Sequence, residues 1–261
     1  MSPRVAIVTG AARGIGAAVV NRLATDGWNV VAVDVCADLP GVGYPLGTRE
    51  QLNGLAPHRP GAVRPVVADV RDAQALAAAV ALAEDEYGGL DAAVAAAAVM
   101  AGGRPLWETT DAEWDALFDT GVRGVANLAR AAVPAMLRRP QPRTGRFVAL
   151  ASAASHHPLW RLAGYNAAKH AVVGLVRGLA ADLRGTGVNA TAVSPGSTRT
   201  AMLDASAALY DLPDVEEFAR HQAVERLLEP DEIAAAVCWL CSEDSSAVTG
   251  TVLRADGGFR A

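Results

Sequence analysis

The chain has 261 residues, of which 51% are hydrophobic, 20% charged and 5% aromatic. That length predicts one domain, or at most two. A formal net charge of -5 offers no basic patch for nucleic acid. No apolar run approaches the ~20 residues needed to cross a bilayer. The N-terminus MSPRVAIVTG also lacks the layout of a signal peptide, so we expect a cytoplasmic protein without a membrane partner.

The three cysteines, Cys36, Cys238 and Cys241, fit a reducing compartment. The spacing of Cys238 and Cys241 would also suit a redox or metal-binding pair. Its surroundings predict an amphipathic helix, in which both thiols pack as small hydrophobes. His156 and His157 are adjacent and point in different directions, and no carboxylate or cysteine accompanies them at ligand spacing, so we predict no metal site.

Residues 4–9 predict a short buried strand, which is followed by a glycine-rich turn and a helical pattern. The glycines have the spacing G-x-x-x-G-x-G. Glycines at such a junction allow a tight turn and let a pyrophosphate approach both the backbone and the helix N-terminus. A purely structural turn is the alternative. The predicted cofactor-binding residues of this turn are Gly10, Arg13, Gly14, Ile15 and Gly16.

A second strand, residues 29–34, ends in Asp34, whose carboxylate can accept hydrogen bonds from ribose hydroxyls and would repel a 2′-phosphate. This favours NAD over NADP, although Arg13 is a counter-signal because a basic residue in the turn could meet that phosphate. The third strand, residues 63–68, leads into Asp69 and Val70, where the acid can hydrogen-bond the adenine amino group.

Between these strands, residues 36–61 form a long excursion rich in glycine and proline, with a short helix expected at its centre. Because it follows Asp34 directly, we expect it to fold over the adenosine end of a cofactor. A solvated insertion away from the ligand is the alternative.

A fourth strand, residues 90–96, ends in the alanine run 95–98, small enough for a cofactor ring to lie against. Residues 111–138 predict one long helix that contributes to the core and to a subunit contact, and we expect Pro134 to bend or break it.

Tyr165 and Lys169 are four residues apart in a helical pattern, so both side chains lie on one helix face. An ammonium near a phenol should lower the pKa of the phenol and prepare it for proton transfer. Ser152, at the end of the strand 146–151, can hydrogen-bond the same substrate oxygen. The spacing Y-x-x-x-K alone is weak, because an exposed tyrosine beside a solvated lysine has the same pattern.

A sixth strand, residues 188–194, is followed by Pro195, Gly196, Thr198 and Thr200. Residues 200–228 have the mixed character of a mobile lid over an apolar substrate, and a surface helical hairpin is the alternative. A helix over 231–242 and a strand over 250–255 complete the pattern. Seven strands alternating with helices predict one domain, residues 1–261, with a doubly wound α/β Rossmann fold and a mostly parallel sheet.

As a set, these motifs resemble the short-chain dehydrogenase/reductase family along the whole chain. The motifs are Thr9-Gly-x-x-x-Gly-x-Gly16, Asp34, Asp69-Val70, Ser152, Tyr165-x-x-x-Lys169, Pro195-Gly196 and Asp256-Gly-Gly258. The resemblance implies NAD as cofactor, hydride transfer between a secondary alcohol and a ketone, and a homotetramer.

The resemblance also assigns roles. It makes Tyr165 the acid/base and Ser152 the group that steadies the substrate oxygen. Lys169 lowers the pKa of the tyrosine and binds the nicotinamide ribose. The remaining implied cofactor contacts are Ala96, Ala97, residues 195–198 and Thr200.

Within the family, the excursion resembles that of the dehydrogenases associated with mycofactocin, to which carveol dehydrogenase is related. This implies a firmly held NAD that is reoxidised by a separate mycofactocin-type redox carrier, and a small apolar alcohol or ketone as substrate.

Two positions depart from the family pattern. The usual Asn-Asn-Ala-Gly is Ala95-Ala-Ala-Ala98, and the helix motif N-x-x-G is Gly121-Val-Arg-Gly124. Asn127 lies about 120° around the helix from Gly121 and is not a substitute. The sequence therefore does not identify the path of the proton. Two alternatives remain beside the dehydrogenase: a catalytically silent NAD-binding sensor or scaffold, and an epimerase or dehydratase.

Overall fold

The computed structural model describes residues 3–56 and 58–260, so parts of the predicted domain and of the excursion (residues 1, 2, 57 and 261) lie outside the described residues. Seven strands form one sheet with the order β3-β2-β1-β4-β5-β6-β7, and every neighbouring pair is parallel. The strands are β1 Val5–Thr9, β2 Asn29–Asp34, β3 Val63–Val67, β4 Ala92–Ala95, β5 Arg146–Leu150, β6 Asn189–Pro195 and β7 Val252–Ala255.

Helices cover both faces of this sheet. The α-helices are α1 Gly14–Thr25, α2 Arg49–Asn53, α3 Ala73–Tyr87, α4 Asp111–Phe118, α5 Gly124–Arg138, α6 Ala163–Asp182, α7 Ala201–Leu209 and α8 Pro230–Cys241. Short 3₁₀ helices cover Leu106–Glu108, Ala153–Ser155, Val215–His221 and Glu243–Ser245. Among the described residues, no helix is both long and apolar enough to span a membrane.

Two apolar cores lie on opposite faces of the sheet. Leu76 of α3, Leu128 of α5 and Val172 of α6 pack on one face. Leu23 of α1 and Ile233 of α8 pack on the other. The buried strands carry apolar residues on both sides and are therefore near-continuous apolar runs in the sequence. This is the pattern of a parallel sheet whose two faces are both covered by helices. The predicted doubly wound Rossmann fold is confirmed.

The strand order reverses beside β1, which has β2 on one side and β4 on the other. In open α/β sheets, ligands bind outside the carboxyl ends of the strands at this reversal. Thr9 at the end of β1 connects the two halves there, because its hydroxyl accepts hydrogen bonds from the backbone N–H groups of Ala96 (3.2 Å) and Ala97 (3.3 Å).

The predicted helix over 111–138 is present as continuous helical backbone, but the break expected at Pro134 does not occur. The chain forms α4, a π-helical turn over Asp119–Arg123, and α5, which continues past Pro134 to Arg138. The π-helical turn contains Gly121 and is followed directly by Gly124, and glycine has a low helix propensity. Gly124 is needed there for space, because a Cβ on it would lie 2.7 Å from Cγ2 of Val70.

The two cysteines of α8 pack as small hydrophobes. Cys238 and Cys241 are buried in the same core as Ile233 and Val237. Burial raises the pKa of both thiols, that of Cys241 to about 12. A protonated thiol is a poor nucleophile and metal ligand, so this pair contributes to packing.

Candidate active site

A cavity of about 640 Å³ opens at the carboxyl edge of the sheet, beside the reversal of strand order. Its size lies within the roughly 300–1,000 Å³ of small-molecule sites. Every site residue predicted from the sequence lies on its wall: Gly10, Arg13, Gly14, Ile15, Gly16, Asp34, Asp69, Val70, Ala96, Ala97, Ser152, Tyr165, Lys169, Pro195, Gly196, Thr198 and Thr200.

The turn between β1 and α1 forms a cradle that only glycine permits. Gly10 has a φ of 65°, and a Cβ on it would lie 2.6 Å from Cα of Ala97. A Cβ on Gly16 would collide with the Gly10 carbonyl oxygen. The N-terminus of α1, at Gly14, therefore opens onto the cavity. Such a cradle of backbone N–H groups fits a diphosphate.

Asp34 stands at the edge of this cradle. Its Oδ2 accepts a hydrogen bond from Ala12 N at 3.0 Å, and its Oδ1 accepts one from Cys36 N at 3.1 Å. An ionised carboxylate has about four lone-pair positions, so acceptor capacity remains for two ribose hydroxyls. A Cβ on Gly47 would lie 3.2 Å from Oδ1, which shows how closely the chain passes over the acid.

Asp69 lies on the cavity wall and is paired with a neighbouring residue of the chain. Its carboxylate pairs with Arg71, with Nη2 of the arginine 2.6 Å from Oδ2, and also accepts the backbone N–H of Arg71. Burial opposes ionisation, but the hydrogen bonds from Arg71 outweigh it and hold the pKa of Asp69 below its ordinary value. Three N–H groups of Arg71 leave about one of the four lone-pair positions of the carboxylate free, so the hydrogen bond to an adenine amino group stays a prediction.

Tyr165, Lys169 and Ser152 meet at the centre of the cavity. Tyr165 and Lys169 are one turn apart on α6, and Lys169 Nζ lies 5.7 Å from the centroid of the tyrosine ring. Lys169 Nζ donates a hydrogen bond to the Leu150 carbonyl at 2.9 Å. Ser152 follows β5, and its hydroxyl accepts the N–H of Ala154 at 3.1 Å. The same hydroxyl is near enough to Tyr165 to act on the pKa of that phenol.

The expected lowering of the pKa of Tyr165 by Lys169 is wrong for this structure. Burial raises the pKa of Tyr165 to about 12, and the Ser152 hydroxyl only partly opposes this. Burial also lowers the pKa of Lys169 to about 8. The ammonium is directed at a backbone carbonyl, so it does not offset the loss of water around the phenol.

The Asn127 side chain is hydrogen-bonded to the backbone of the loop after β3. Its Nδ2 donates to the carbonyl oxygens of Val70 (3.0 Å) and Arg71 (3.2 Å), which fixes the loop after β3. At Gly121, a Cβ would meet no atom within 4 Å. The neighbouring Thr120 lies on the cavity wall, and among the described residues its buried hydroxyl has no hydrogen-bond partner. The sequence did not single out Thr120.

The segment predicted as a lid contributes apolar residues to the cavity wall: Met202 and Leu203 of α7, Tyr210 directly after it, and Phe218 of the 3₁₀ helix Val215–His221. Trp160, which the sequence did not single out, stacks on Tyr210 with 6.0 Å between ring centroids. Tyr210 Oη donates to the Trp160 carbonyl at 2.6 Å. A lone tryptophan in a loop gave no signal of this contact.

The first part of the excursion, residues 36–47, which we call the strap, runs along the cavity. Leu39, Leu46 and Gly47 line its wall. Leu39 packs with Val99 and Ala116, which joins the strap to α4. The second part turns away from the cavity: α2 begins after Thr48, which forms a capping box with Gln51.

Comparisons with known proteins agree with this geometry. Residues 10–260 match the family model described as enoyl-(acyl carrier protein) reductase. An uncharacterized NAD-dependent oxidoreductase of Mycobacterium tuberculosis is 34% identical over 270 residues, which cover 98% of this chain and 95% of the relative. The (-)-trans-carveol dehydrogenase of Rhodococcus erythropolis is 32% identical over 269 residues, covering 98% of this chain and 96% of the relative.

Among solved structures, carveol dehydrogenase from Mycobacterium avium in complex with NAD superimposes with a TM-score of 0.92. The two chains are 32% identical, and the match covers 99% of this chain and 98% of the other.

Proposed function

Because the chain belongs to the short-chain dehydrogenase/reductase family, we propose that it is an NAD-dependent oxidoreductase that interconverts a secondary alcohol and a ketone. The observation that carries this proposal is the meeting of Ser152, Tyr165 and Lys169 with the glycine cradle in one cavity. A phenol suited to proton transfer and a seat for a dinucleotide are the two parts that such a reaction needs.

NAD as the cofactor is supported by the NAD-dependent relative and by the NAD complex of the similar carveol dehydrogenase. The residues that would hold it are those of the glycine cradle for the diphosphate, Asp34 for the ribose, and Pro195 to Thr200 for the nicotinamide. When bound, the nicotinamide ring supplies the hydride acceptor or donor. The Asp34 carboxylate opposes a 2′-phosphate at the same position, which favours NAD over NADP.

The protein supplies the proton. With a pKa near 12, the Tyr165 phenol is neutral at working pH and can donate its proton to the oxygen of a ketone. Ser152 lies near the phenol on the same cavity wall and would hold the same oxygen. In the oxidative direction the phenol must first lose its proton, so we expect alcohol oxidation to become faster as pH rises.

The substrate is proposed to be a small apolar alcohol or ketone. The cavity wall carries Met202, Leu203, Tyr210 and Phe218, which offer apolar contact area, and the polar groups of the same segment are Ser206, Arg220 and His221. A carbinol on an apolar ring or chain would bury its carbon skeleton there, at about 25 cal/mol per Å² of apolar surface. The related carveol dehydrogenase acts on a compound of this class.

We further propose that NAD is held tightly and is reoxidised in place by a mycofactocin-type redox carrier. The strap supports this, because it crosses beside Asp34 and packs on Val99 and Ala116. A cofactor beneath it would leave only after the strap opened, and such openings commonly limit release. A homotetramer remains a proposal from the family resemblance alone.

The second candidate, a catalytically silent NAD-binding sensor or scaffold, is favoured by one observation, the glycine at position 121. One experiment separates the two functions. The protein is purified and a panel of secondary alcohols is added, while the near-ultraviolet absorbance of the reduced cofactor is followed. An artificial electron acceptor is then added to allow repeated turnover. The proposal predicts reduction of bound NAD by at least one apolar alcohol, whereas a sensor would bind NAD and show no reduction with any alcohol or ketone.

A further inference from the structure

One side chain of the strap packs near Tyr165. Tyr44 lies ten residues after Asp34 in the chain. It packs against the apolar cluster that contains Tyr165, Leu162 and Met100. The two phenols are within electrostatic range, since a charge on Tyr44 would raise the pKa of Tyr165. The strap therefore spans from the acid at the ribose seat to the surroundings of the catalytic tyrosine.

Two directed contacts fix Tyr44 in this position. Its Oη accepts a hydrogen bond from the backbone N–H of Met100 at 3.0 Å. The guanidinium of Arg13, in the glycine turn, lies 5.7 Å from the centroid of its ring, within the range of a cation–π contact. One phenol thus contacts the phosphate cradle through its face and the cavity wall through its hydroxyl.

Met100 belongs to a stretch of wall with no regular secondary structure, residues 99–101, which we call the wall segment. Val99 and Met100 line the cavity. A backbone outside helix and sheet has no ladder of hydrogen bonds to hold it, so a single acceptor has a large effect on its position. For Met100 N–H, that acceptor is the Tyr44 hydroxyl.

We propose that Tyr44 is a positioning residue of the active site, which holds the wall segment beside the catalytic helix whenever the strap is closed. The pocket around Tyr165 is then complete only with the strap in place, and loosening the strap disturbs chemistry as well as cofactor release. This inference rests on the proposed function for its kinetic consequences. Its structural part stands without turnover.

The test uses Tyr44→Phe, which removes the hydroxyl and keeps the ring over Arg13. Tyr87→Phe is the matched control, because Tyr87 ends α3 and also loses one phenolic hydroxyl. Amide hydrogen exchange of the whole protein is measured across residues 99–101, together with the single-turnover rate of NAD reduction, the KM for alcohol and the NAD release rate. We expect about tenfold faster exchange at Met100 and a KM raised about tenfold in Tyr44→Phe only, the size expected for one lost hydrogen bond.

A second variant separates positioning from general loosening. Val42→Ala removes strap packing on the cluster of Leu39, Val99 and Ala116 without touching Tyr44. We expect it to speed NAD release while KM and the single-turnover rate change less than in Tyr44→Phe.

Unchanged exchange at Met100 in Tyr44→Phe would overturn the proposal, as would unchanged KM and single-turnover rate in an active enzyme. An unmutated protein that shows no turnover would contradict the proposed function. The exchange measurement would still decide whether Tyr44 holds the wall segment.

Discussion

Lys169 Nζ donates a hydrogen bond to the carbonyl oxygen of Leu150, 2.9 Å away, and this contact joins α6 to the last residue of β5. The amine is buried, and burial lowers its pKa to about 8 from the ordinary value of 10.5. A lysine in this position is held by the strand backbone, and its charge is sensitive to pH near neutrality.

The stability of the protein should therefore depend on pH through Lys169. Between pH 8 and 10.5 the unfolded chain binds more protons at this residue than the folded chain does. The free energy of unfolding therefore increases as pH rises through that window and decreases as pH falls back towards 8. Relative to Lys169→Met, the wild type should gain up to about 3 kcal/mol from pH 7 to 10. Urea unfolding of both proteins at several pH values checks this. The buried thiols of α8 contribute equally to the pH dependence of both proteins, so their contribution cancels when the two free energies of unfolding are subtracted. Free energies of unfolding that change in parallel with pH in the two proteins would contradict the prediction.

Asp34→Ala should weaken NAD binding and relax the exclusion of NADP. The variant removes the acceptor for the ribose hydroxyls together with the charge that opposes a 2′-phosphate, and a loss of about 10- to 100-fold in NAD affinity is expected for charge-assisted hydrogen bonds. Asp85→Ala is the matched control, because Asp85 is an exposed aspartate of α3 outside the cavity lining. Titration of both nucleotides measures the effect. Equal affinity of the unmutated protein for NAD and NADP would remove this role from Asp34.

Shortening the strap should release the cofactor. The hydrogen bond from Leu46 N to Asp38 Oδ1, 2.7 Å long, brings the two ends of the segment 39–45 together, so two glycines can replace it. We expect the wild type to purify with NAD that exchanges slowly, and the shortened protein to exchange it freely. Trapping of released NAD by a coupled enzyme gives the rates. Fast exchange in the wild type would show that the strap does not retain the cofactor.

The strap should be shortened without touching α2. Leu52 of that helix is fully buried and packs with Leu23 and Val30, so its removal would open the core. Leu52→Ala shows the effect of damage to α2 alone, and we expect it to lower the free energy of unfolding by about 2–5 kcal/mol.

Two glycines three residues apart should respond oppositely to substitution. Gly121→Ala adds a methyl group where no atom lies within 4 Å and gains helix propensity, so we expect unchanged stability or a gain of up to about 1 kcal/mol. Gly124→Ala places its Cβ against Val70 and should cost about 1–3 kcal/mol. Thermal unfolding of both variants distinguishes them. A large destabilisation by Gly121→Ala would show that the π-helical turn requires a glycine there.

Much of this fold is predictable because its signals are local. A buried parallel strand is an apolar run, so the runs ending at Thr9 and Asp34 identified β1 and β2. Gly16 of the turn is required by its close approach to the carbonyl oxygen of Gly10 in the same turn. The four-residue spacing of Tyr165 and Lys169 on one helix face follows from helix geometry alone.

Other features depend on contacts between distant parts of the chain, and local pattern does not contain them. The raised pKa of Tyr165 results from burial by several elements, while the sequence showed only the neighbouring lysine. The stacking of Trp160 on Tyr210 and the contact between Tyr44 and Met100 likewise depend on how loops fold back.

The central claim is that Tyr165 transfers the proton when hydride passes to or from NAD in this cavity. The most direct test is the rate of NAD reduction by a saturating apolar secondary alcohol in a single turnover, compared between the wild type and Tyr165→Phe. The variant removes one hydroxyl and keeps the ring, so NAD affinity should stay within about twofold while the rate falls about 10²–10⁴-fold, the range of general acid–base catalysis. A Tyr165→Phe variant that reduces NAD at the wild-type rate would contradict the account.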